Sequence, residues 1–289
     1  MAVYSRRELI KSSAFLVGLG LLDISWNSFG AIKKKKYRLG ICDWSIRKES
    51  QTEALAYAKK IGLDGVQISL GSAQNNMHLR QKEIQDQYRQ QAKENDIVIS
   101  SLAIGELNNI PFKSATQTEQ WVSDSIDVAT RMGCKVILLA FFSKGDLRGD
   151  EEGIKEVIRR LKKIAPKAEK AGIILGIESW LSADEHLRII KAVGSKNVRV
   201  YYDVANATEM GYDIFDEMRR LGKAFICEVH LKENGHLLGQ GKVDFVKVKK
   251  VLDEIGYDGW VVIEGGVPNG AGLFESCVAN TAYIRSVFT

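Results

Sequence analysis

From Tyr37 to the end of the chain, short apolar runs alternate with longer amphipathic ones. The longer runs repeat their apolar residues every three or four positions, as helices do, whereas the short runs have the length of β-strands. Several helical runs end at a glycine, such as Gly133 and Gly172, where a helix commonly stops before the chain enters a strand. Eight runs are predicted to be strands, at residues 37–44, 65–70, 97–102, 135–142, 173–179, 198–204, 224–231 and 260–265.

The predicted strands are almost continuously apolar, which is typical of a parallel sheet that is buried on both faces. Eight strand-helix units in a chain of this length predict an α/β fold of the closed (β/α)8 barrel type. An open, doubly wound sheet is the alternative, and such a sheet normally has a glycine-rich turn after its first strand. The turn here reads CDWSIRKES and contains no glycine. We therefore expect a single barrel domain over residues 37–289.

The segment before the barrel has the pattern of an export signal. Arg6 and Arg7 precede an apolar run at residues 12–22, and a basic stretch before a short apolar core is typical of secretory signals. Asp23 ends the run, which is too short to be a stable anchor across a hydrocarbon layer of roughly 30 Å. An ordinary amphipathic helix is the alternative. The prediction comprises a twin-arginine signal at 1–31, a basic linker at 32–36, recognition by the twin-arginine export machinery, and a periplasmic location.

The charge of the chain is concentrated in the same segment. The net charge is +5, and residues 1–36 hold seven of the 41 basic and two of the 36 acidic side chains. Residues 37–289 are therefore electrically neutral as a whole. Because non-specific nucleic-acid binding depends on many basic contacts to phosphates, a neutral barrel argues against a nucleic-acid partner.

Ionisable side chains end four consecutive predicted strands. The carboxyl ends of barrel strands meet at one face, so these side chains should converge there. Each alone is weak evidence, because a single carboxylate at a strand end is usually solvated. Three crowded carboxylates, however, need a cation or protons to neutralise them, and three oxygens with one imidazole suit Mn²⁺, Mg²⁺, Co²⁺ or Zn²⁺. The sequence predicts one divalent metal ion bound by Glu178, Asp203, His230 and Glu264.

Around these residues the chain resembles the xylose-isomerase-like TIM-barrel superfamily, which includes sugar isomerases, sugar epimerases and apurinic endonucleases. The resemblance rests on LGIES at the fifth strand, VYYDVANA at the sixth, HLKENGHLLGQGKVDF at the seventh and GYDGWVVIEGG at the eighth. It implies a TIM barrel in which Glu178 and Glu264 both bind the metal and act as catalytic residues that transfer the proton. The metal would polarise a carbonyl and a hydroxyl of a bound sugar.

Two departures from the family pattern bear on function. The family often has Asp-x-x-His after the sixth strand, and Asn206 stands here in place of that histidine. Zinc endonucleases of the superfamily also use histidines after the second and third strands. The stretch SLAIGELNNIPF has none, and His78 lies well past the end of the second strand. These departures argue against a zinc nuclease.

Further candidates lie next to the strand ends. Lys232 and Glu233 could contact substrate hydroxyls, or they could simply belong to a solvated turn. Three aromatic side chains just past strand ends could form an apolar face for a sugar ring, or pack on the rim. Two other histidines, His186 and His236, are expected at the surface. The predicted substrate-binding set is Lys232, Asn206, Trp180, Trp44, Phe142 and Glu233.

Three functions remain open from the sequence. The first is a metal-dependent isomerase or epimerase that acts on a non-phosphorylated sugar or keto-sugar, since sugar phosphates are mostly cytoplasmic. The second is a metal-dependent lyase or hydratase acting on a keto-glycoside, which the change to Asn206 favours because that position has lost a proton carrier. The third is a non-catalytic periplasmic sugar-binding protein, against which a cluster of like charges argues.

Overall fold

The computed structural model of the protein describes residues 36–289, and the predicted signal at 1–31 with most of the linker lies outside them. Eight parallel strands pair in chain order and close into a barrel, because β1 also pairs with β8. The predicted (β/α)8 barrel is therefore confirmed. The strands are β1 Arg38–Cys42, β2 Gly65–Ser69, β3 Val98–Ile104, β4 Val136–Phe141, β5 Ile174–Ser179, β6 Val198–Asp203, β7 Ile226–Glu233 and β8 Trp260–Gly265.

Helices follow the strands and surround the barrel. Their bounds are α1 Glu53–Lys60, α2 Lys82–Glu94, α3 Gln117–Met132, α4 Glu151–Ala171, α5 Ala183–Val193, α6 Val204–Glu209, α7 Ile214–Phe225, α8 Phe245–Glu254 and α9 Leu273–Phe288. The short helix α6 is an addition to the predicted pattern. Gly133 and Gly172 end their helices with positive φ, a conformation that glycine adopts without steric cost. No helix of the described residues has the length and apolar character that a membrane span needs.

The barrel is held together by apolar side chains on both faces of its strands. Every residue of β2 and β4 is buried. One layer faces the helices and includes Leu39, Ile137 and Ile177, while a smaller group inside the barrel includes Leu138 and Tyr201. Burying a large aliphatic side chain stabilises a fold by roughly 1.5–3 kcal/mol. This double burial explains why the strands read as continuous apolar runs.

The register of the strands aligns the polar residues at their carboxyl ends. Asp203 on β6 pairs with His230 on β7, and Lys232 on β7 pairs with Glu264 on β8. Partners in register lie side by side, so the mouth of the barrel gathers residues that are tens of positions apart in the chain.

Candidate metal centre and active site

The four predicted metal ligands lie together at the mouth of the barrel. Each offers one ligand atom, and these atoms all lie within 4.8 Å of one another. Three of the residues are buried and Glu264 is partly buried. This confirms that the four side chains converge, which the spacing of the strands predicted.

His230 turns one ring nitrogen towards the carboxylates. Its Nδ1 lies 2.7 Å from Oε1 of Glu178, 3.4 Å from Oε2 of Glu264 and 4.0 Å from Oδ2 of Asp203. Because the three carboxylates lie on the Nδ1 side, Nδ1 is the nitrogen that can bind a metal here.

The other ring nitrogen of His230 faces the interior of the barrel. Its Nε2 lies 2.8 Å from Oε1 of Gln67 on β2 and 3.4 Å from Sγ of Cys42 on β1. The Cys42 thiol also donates to Oε1 of Gln67 over 3.2 Å. Neither residue is among the sequence candidates, although a glutamine inside the buried strand GVQIS is a signal that could have been read, since buried polar groups need partners.

Asp203 and Glu264 each direct one carboxylate oxygen at the protein and leave the other without a hydrogen bond. Oδ1 of Asp203 accepts from the backbone N–H groups of Ala205 and Asn206, and so caps the short helix α6. Oε1 of Glu264 accepts from Nε1 of Trp44 over 2.9 Å. The other oxygens, Oδ2 of Asp203 and Oε2 of Glu264, are buried and accept no well-aligned hydrogen bond, although the Lys232 ammonium lies near both. Buried carboxylate oxygens normally accept hydrogen bonds or bind cations, and a divalent cation fits between these two.

Burial and neighbouring charges shift the titration of the cluster. Burial raises the pKa of Asp203 to about 8 and also raises the pKa of Glu178. Burial would raise the pKa of Glu264 too, but His230 and Lys232 outweigh it and hold that pKa well below its usual value.

His230 responds in the opposite direction to its burial. Burial alone would lower the pKa of the imidazole, yet the negative charges of Glu178 and Glu264 outweigh it and raise the pKa well above its usual value. The raised pKa favours the charged ring, in which Nε2 and Nδ1 each carry a proton and the Nδ1 proton faces Glu178. A metal ion bound to Nδ1 would have to displace that proton.

Lys232 supplies the positive charge beside the carboxylates. Its Nζ lies 3.2 Å from Oε2 of Glu264 and 3.7 Å from Oδ2 of Asp203, and it donates to Oδ1 of Asn206 over 3.4 Å. These carboxylates raise the pKa of the ammonium even though burial lowers it, so the group stays charged. Both residues line the pocket described next.

A pocket of about 670 Å³ opens above the cluster. Pockets that bind small molecules commonly measure roughly 300–1,000 Å³. One wall is apolar and includes Phe142, whose ring packs edge-on against Trp180 at a centroid distance of 5.1 Å. The lining also includes many polar residues from the loops after the first three strands, such as Glu49, Asn75 and Glu106. Seven of the predicted site residues line the pocket, namely Trp44, Phe142, Glu178, Trp180, Asn206, Lys232 and Glu264.

Two other side chains differ from their predicted roles. Glu233 was a candidate for substrate contact, but its buried carboxylate accepts from the backbone N–H groups of Lys242 and Val243. It therefore anchors the loop after β7. His186 was expected at the surface, yet it is buried, with Nε2 at 2.9 Å from Oγ of Ser179. His236 is exposed as predicted.

The chain matches the sequence profile of the xylose isomerase-like TIM barrel over residues 55–278. This protein belongs to that family. Among its named relatives, it is 24% identical over 255 residues to a putative L-ribulose-5-phosphate 3-epimerase of Haemophilus influenzae, covering 80% of this chain and 89% of the relative.

Two further comparisons cover very different shares of the chain. A match to an uncharacterised protein of Methanocaldococcus jannaschii is 31% identical over 120 residues but covers 36% of this chain and only 41% of that protein. The solved structure of D-psicose 3-epimerase with D-tagatose from Clostridium cellulolyticum H10 superposes with a TM-score of 0.75 at 18% identity, covering 87% of this chain and 99% of that one. At this identity the superposition shows a shared fold.

Proposed function

We propose that this protein is a metal-dependent isomerase or epimerase that acts on a non-phosphorylated sugar or keto-sugar by proton transfer next to a carbonyl group. The observation that supports this most is the convergence of His230 Nδ1 with three carboxylates beneath a pocket of sugar-binding size. The named relatives of the chain include sugar epimerases, which supports the same reaction class.

The charges around the pocket favour a neutral substrate. Among the described residues that line it, Lys232 is the only cation, and Glu264 and Asp203 already surround its ammonium group. Glu49 and Glu106 add negative charge to the lining. A phosphate dianion would be repelled by this arrangement.

The loop after β8 also favours a neutral substrate over a phosphorylated one. It leads into α9, whose N-terminal turn is a place where phosphate groups are often bound. Here Glu275 lies in that first turn and its carboxylate packs against Gly272. The chain's own carboxylate therefore competes with a phosphate at this position.

The residues that would hold the metal are Glu178, Asp203, His230 and Glu264. A bound divalent ion would polarise the carbonyl and hydroxyl oxygens of the sugar and so make the adjacent C–H group more acidic. Lys232 keeps the excess negative charge of the cluster partly neutralised.

Proton transfer is assigned to Glu178 and Glu264. They end β5 and β8, which are not neighbours in the barrel, so they approach a bound sugar from different directions. One carboxylate removes the proton from the carbon next to the carbonyl, and the electron pair moves onto the carbonyl oxygen. For epimerisation, the other glutamate must start as a carboxylic acid; it donates its proton to the opposite face of that carbon and becomes a carboxylate, while the first glutamate keeps the proton it removed until exchange with solvent.

The remaining pocket residues would orient the sugar. Lys232 and Asn206 are hydrogen-bonding groups beside the two catalytic carboxylates. Phe142 and Trp180 offer an aromatic corner on which the C–H face of a sugar ring can pack. Asn206 contributes a polar contact but cannot carry a proton.

A substrate screen in D₂O tests this proposal. Neutral keto-sugars, glycosides and the corresponding sugar phosphates would be incubated with metal-loaded protein and analysed by NMR and mass spectrometry. We expect an isomerised or epimerised neutral sugar that contains solvent deuterium at the carbon that changes, with little turnover of the phosphates. An unsaturated product or a released aglycone, with no isomerised sugar, would instead identify the lyase alternative.

A further inference from the structure

A chain of buried hydrogen bonds leads from His230 across the interior of the barrel. Gln67 accepts at Oε1 from the His230 side and donates from Nε2 to Oγ of Ser101 on β3 over 3.1 Å. The Ser101 hydroxyl donates to Oε2 of Glu228 on β7 over 2.7 Å. Gln67 and Ser101 are fully buried and Glu228 is 2% exposed, so bulk water does not compete for these bonds.

The direction of each bond is decided by the one before it. The hydroxyl of Ser101 has a single proton, which it donates in the hydrogen bond to Glu228. Oγ of Ser101 must therefore accept, so it faces the amide NH₂ of Gln67. The amide oxygen of Gln67 then faces His230. Because this oxygen can only accept a hydrogen bond, Nε2 of His230 must be the donor.

We propose that Glu228, Ser101 and Gln67 form a positioning relay that keeps a proton on Nε2 of His230 and leaves Nδ1 as the nitrogen available to a metal. The inference rests on the metal centre proposed above. It assigns a role to three residues that touch neither the substrate pocket nor the ligand atoms of the three carboxylates.

The opposite arrangement would be unproductive. If the Gln67 amide were turned round, its NH₂ group would face Nε2, and Nε2 would have to accept. The ring would then keep its proton on Nδ1, pointing at Glu178, where a metal ion needs a lone pair. The orientation of one buried amide therefore separates a ring that can bind metal from a ring that cannot.

The direction of the hydrogen bonds in the relay does not depend on whether Glu228, its last residue, is charged or neutral. Burial raises the pKa of Glu228 to about 7. When the group is protonated on Oε1, Oε2 can still accept from Ser101, so the direction of the chain is unchanged. Replacing the carboxyl by an amide is different, because an NH₂ group in place of Oε2 would donate to Ser101 and remove the bias.

The first arm of the test is metal affinity. Co²⁺ would be titrated by calorimetry into metal-free wild type, Ser101→Ala, Glu228→Gln and Gln67→Leu. Loss of a group that orients a metal-bound histidine costs about 10–100-fold in affinity, and we expect this for all three variants. Ser100→Ala is the matched control, because Ser100 is the buried neighbour on the same strand and its hydroxyl has no hydrogen-bond partner. It should bind Co²⁺ like wild type.

The second arm reads the relay directly and needs no metal, with spectra recorded at a pH high enough that the His230 ring is neutral and holds a single proton. The chain has four histidines, so the ring signals can be assigned in ¹⁵N-histidine-labelled protein with the help of His230→Asn. We expect the Nε2–H signal of His230 in wild type and Ser100→Ala, and its loss or weakening in Ser101→Ala and Glu228→Gln. Thermal unfolding would show which variants are folded. If Glu228→Gln does not fold, Ser101→Ala, which is the smallest change, still tests the relay.

The two arms separate failure of the relay from failure of the metal proposal. An unchanged Nε2–H signal in folded Ser101→Ala and Glu228→Gln, or Co²⁺ affinities equal to that of Ser100→Ala, would overturn the relay. If wild type binds no Co²⁺ while the Nε2–H signal still depends on Ser101 and Glu228, the relay stands and the proposed metal centre is wrong.

Discussion

Trp44, which follows β1, donates a hydrogen bond from Nε1 to Oε1 of Glu264 on β8 over 2.9 Å. The two residues are 220 positions apart in the chain, and β1 and β8 are the strands that close the barrel. The bond holds one oxygen of Glu264 and leaves the other, Oε2, to face Lys232 and His230. Closure of the barrel thus orients a carboxylate that we propose to be catalytic.

Replacing Trp44 with Phe should slow the reaction while leaving the fold intact. Phenylalanine keeps an aromatic ring but cannot donate to Glu264. A hydrogen bond to a charged group contributes roughly 1.5–3 kcal/mol, so we expect a loss of about tenfold or more in kcat once a substrate is known. Steady-state kinetics would measure this, and a purely packing role for Trp44 would instead change the melting temperature and spare kcat.

The metal centre predicts about one divalent ion per chain. His230→Ala removes the nitrogen ligand and should lower metal affinity roughly 100-fold or more, as measured by elemental analysis and Co²⁺ titration. His236→Ala is the control, because His236 is exposed and is neither a member of the four-residue cluster nor part of the pocket lining. Equal metal content in the two variants would contradict the assignment of His230 as a ligand.

Metal binding should become tighter as the pH rises towards about 8. Burial raises the pKa of Asp203 to about 8 in the metal-free protein, and the pKa of His230 is raised as well. A metal binds only the deprotonated ligands. Below pH ~8 it must displace protons, which weakens binding by up to about tenfold per pH unit for each proton displaced.

Calorimetry in buffers of different ionisation enthalpy would count the released protons. An affinity that stays constant between about pH 6 and pH 8, without proton release, would show that these two groups are already deprotonated before the metal binds.

Glu178→Gln and Glu264→Gln should each lower turnover by roughly 10²–10⁴-fold, which is the usual contribution of a positioned general base. Glutamine keeps the size of the side chain and one oxygen that can bind metal, but it cannot accept the proton. Circular dichroism and metal analysis would check that fold and metal content survive. If neither change affects any activity found in the screen, the assignment of catalysis to this end of the barrel is wrong.

Export of the protein also remains a proposal, because Arg6 and Arg7 lie outside the described residues. Replacing both with lysine should leave the protein in the cytoplasm, since the twin-arginine pair is the feature on which that reading rests. Cell fractionation and immunoblotting would show the location. A variant that is exported as efficiently as wild type would remove the basis for a twin-arginine signal.

The sequence by itself determined the barrel and the convergence of four ionisable side chains at its mouth. Both follow from local patterns, because an apolar run of strand length, a helical period and a polar residue at a strand's end are properties of neighbouring residues. Once the strands are parallel and in chain order, the polar ends of β5 to β8 must meet. Glu178 and Asp203 could therefore be placed together without knowledge of the structure.

The tertiary structure decided what lies behind and beside those four side chains. Gln67 and Ser101 lie side by side on the neighbouring strands β2 and β3, whereas Glu228 on β7 reaches Ser101 only because the barrel is closed, and these hydrogen bonds are not encoded in any local pattern. Glu233 is turned towards the backbone of its own loop, and His186 is buried against Ser179, since the packing around each supplies a partner. Strand spacing sets where a side chain is, whereas its partners depend on which distant groups the fold brings within hydrogen-bonding distance.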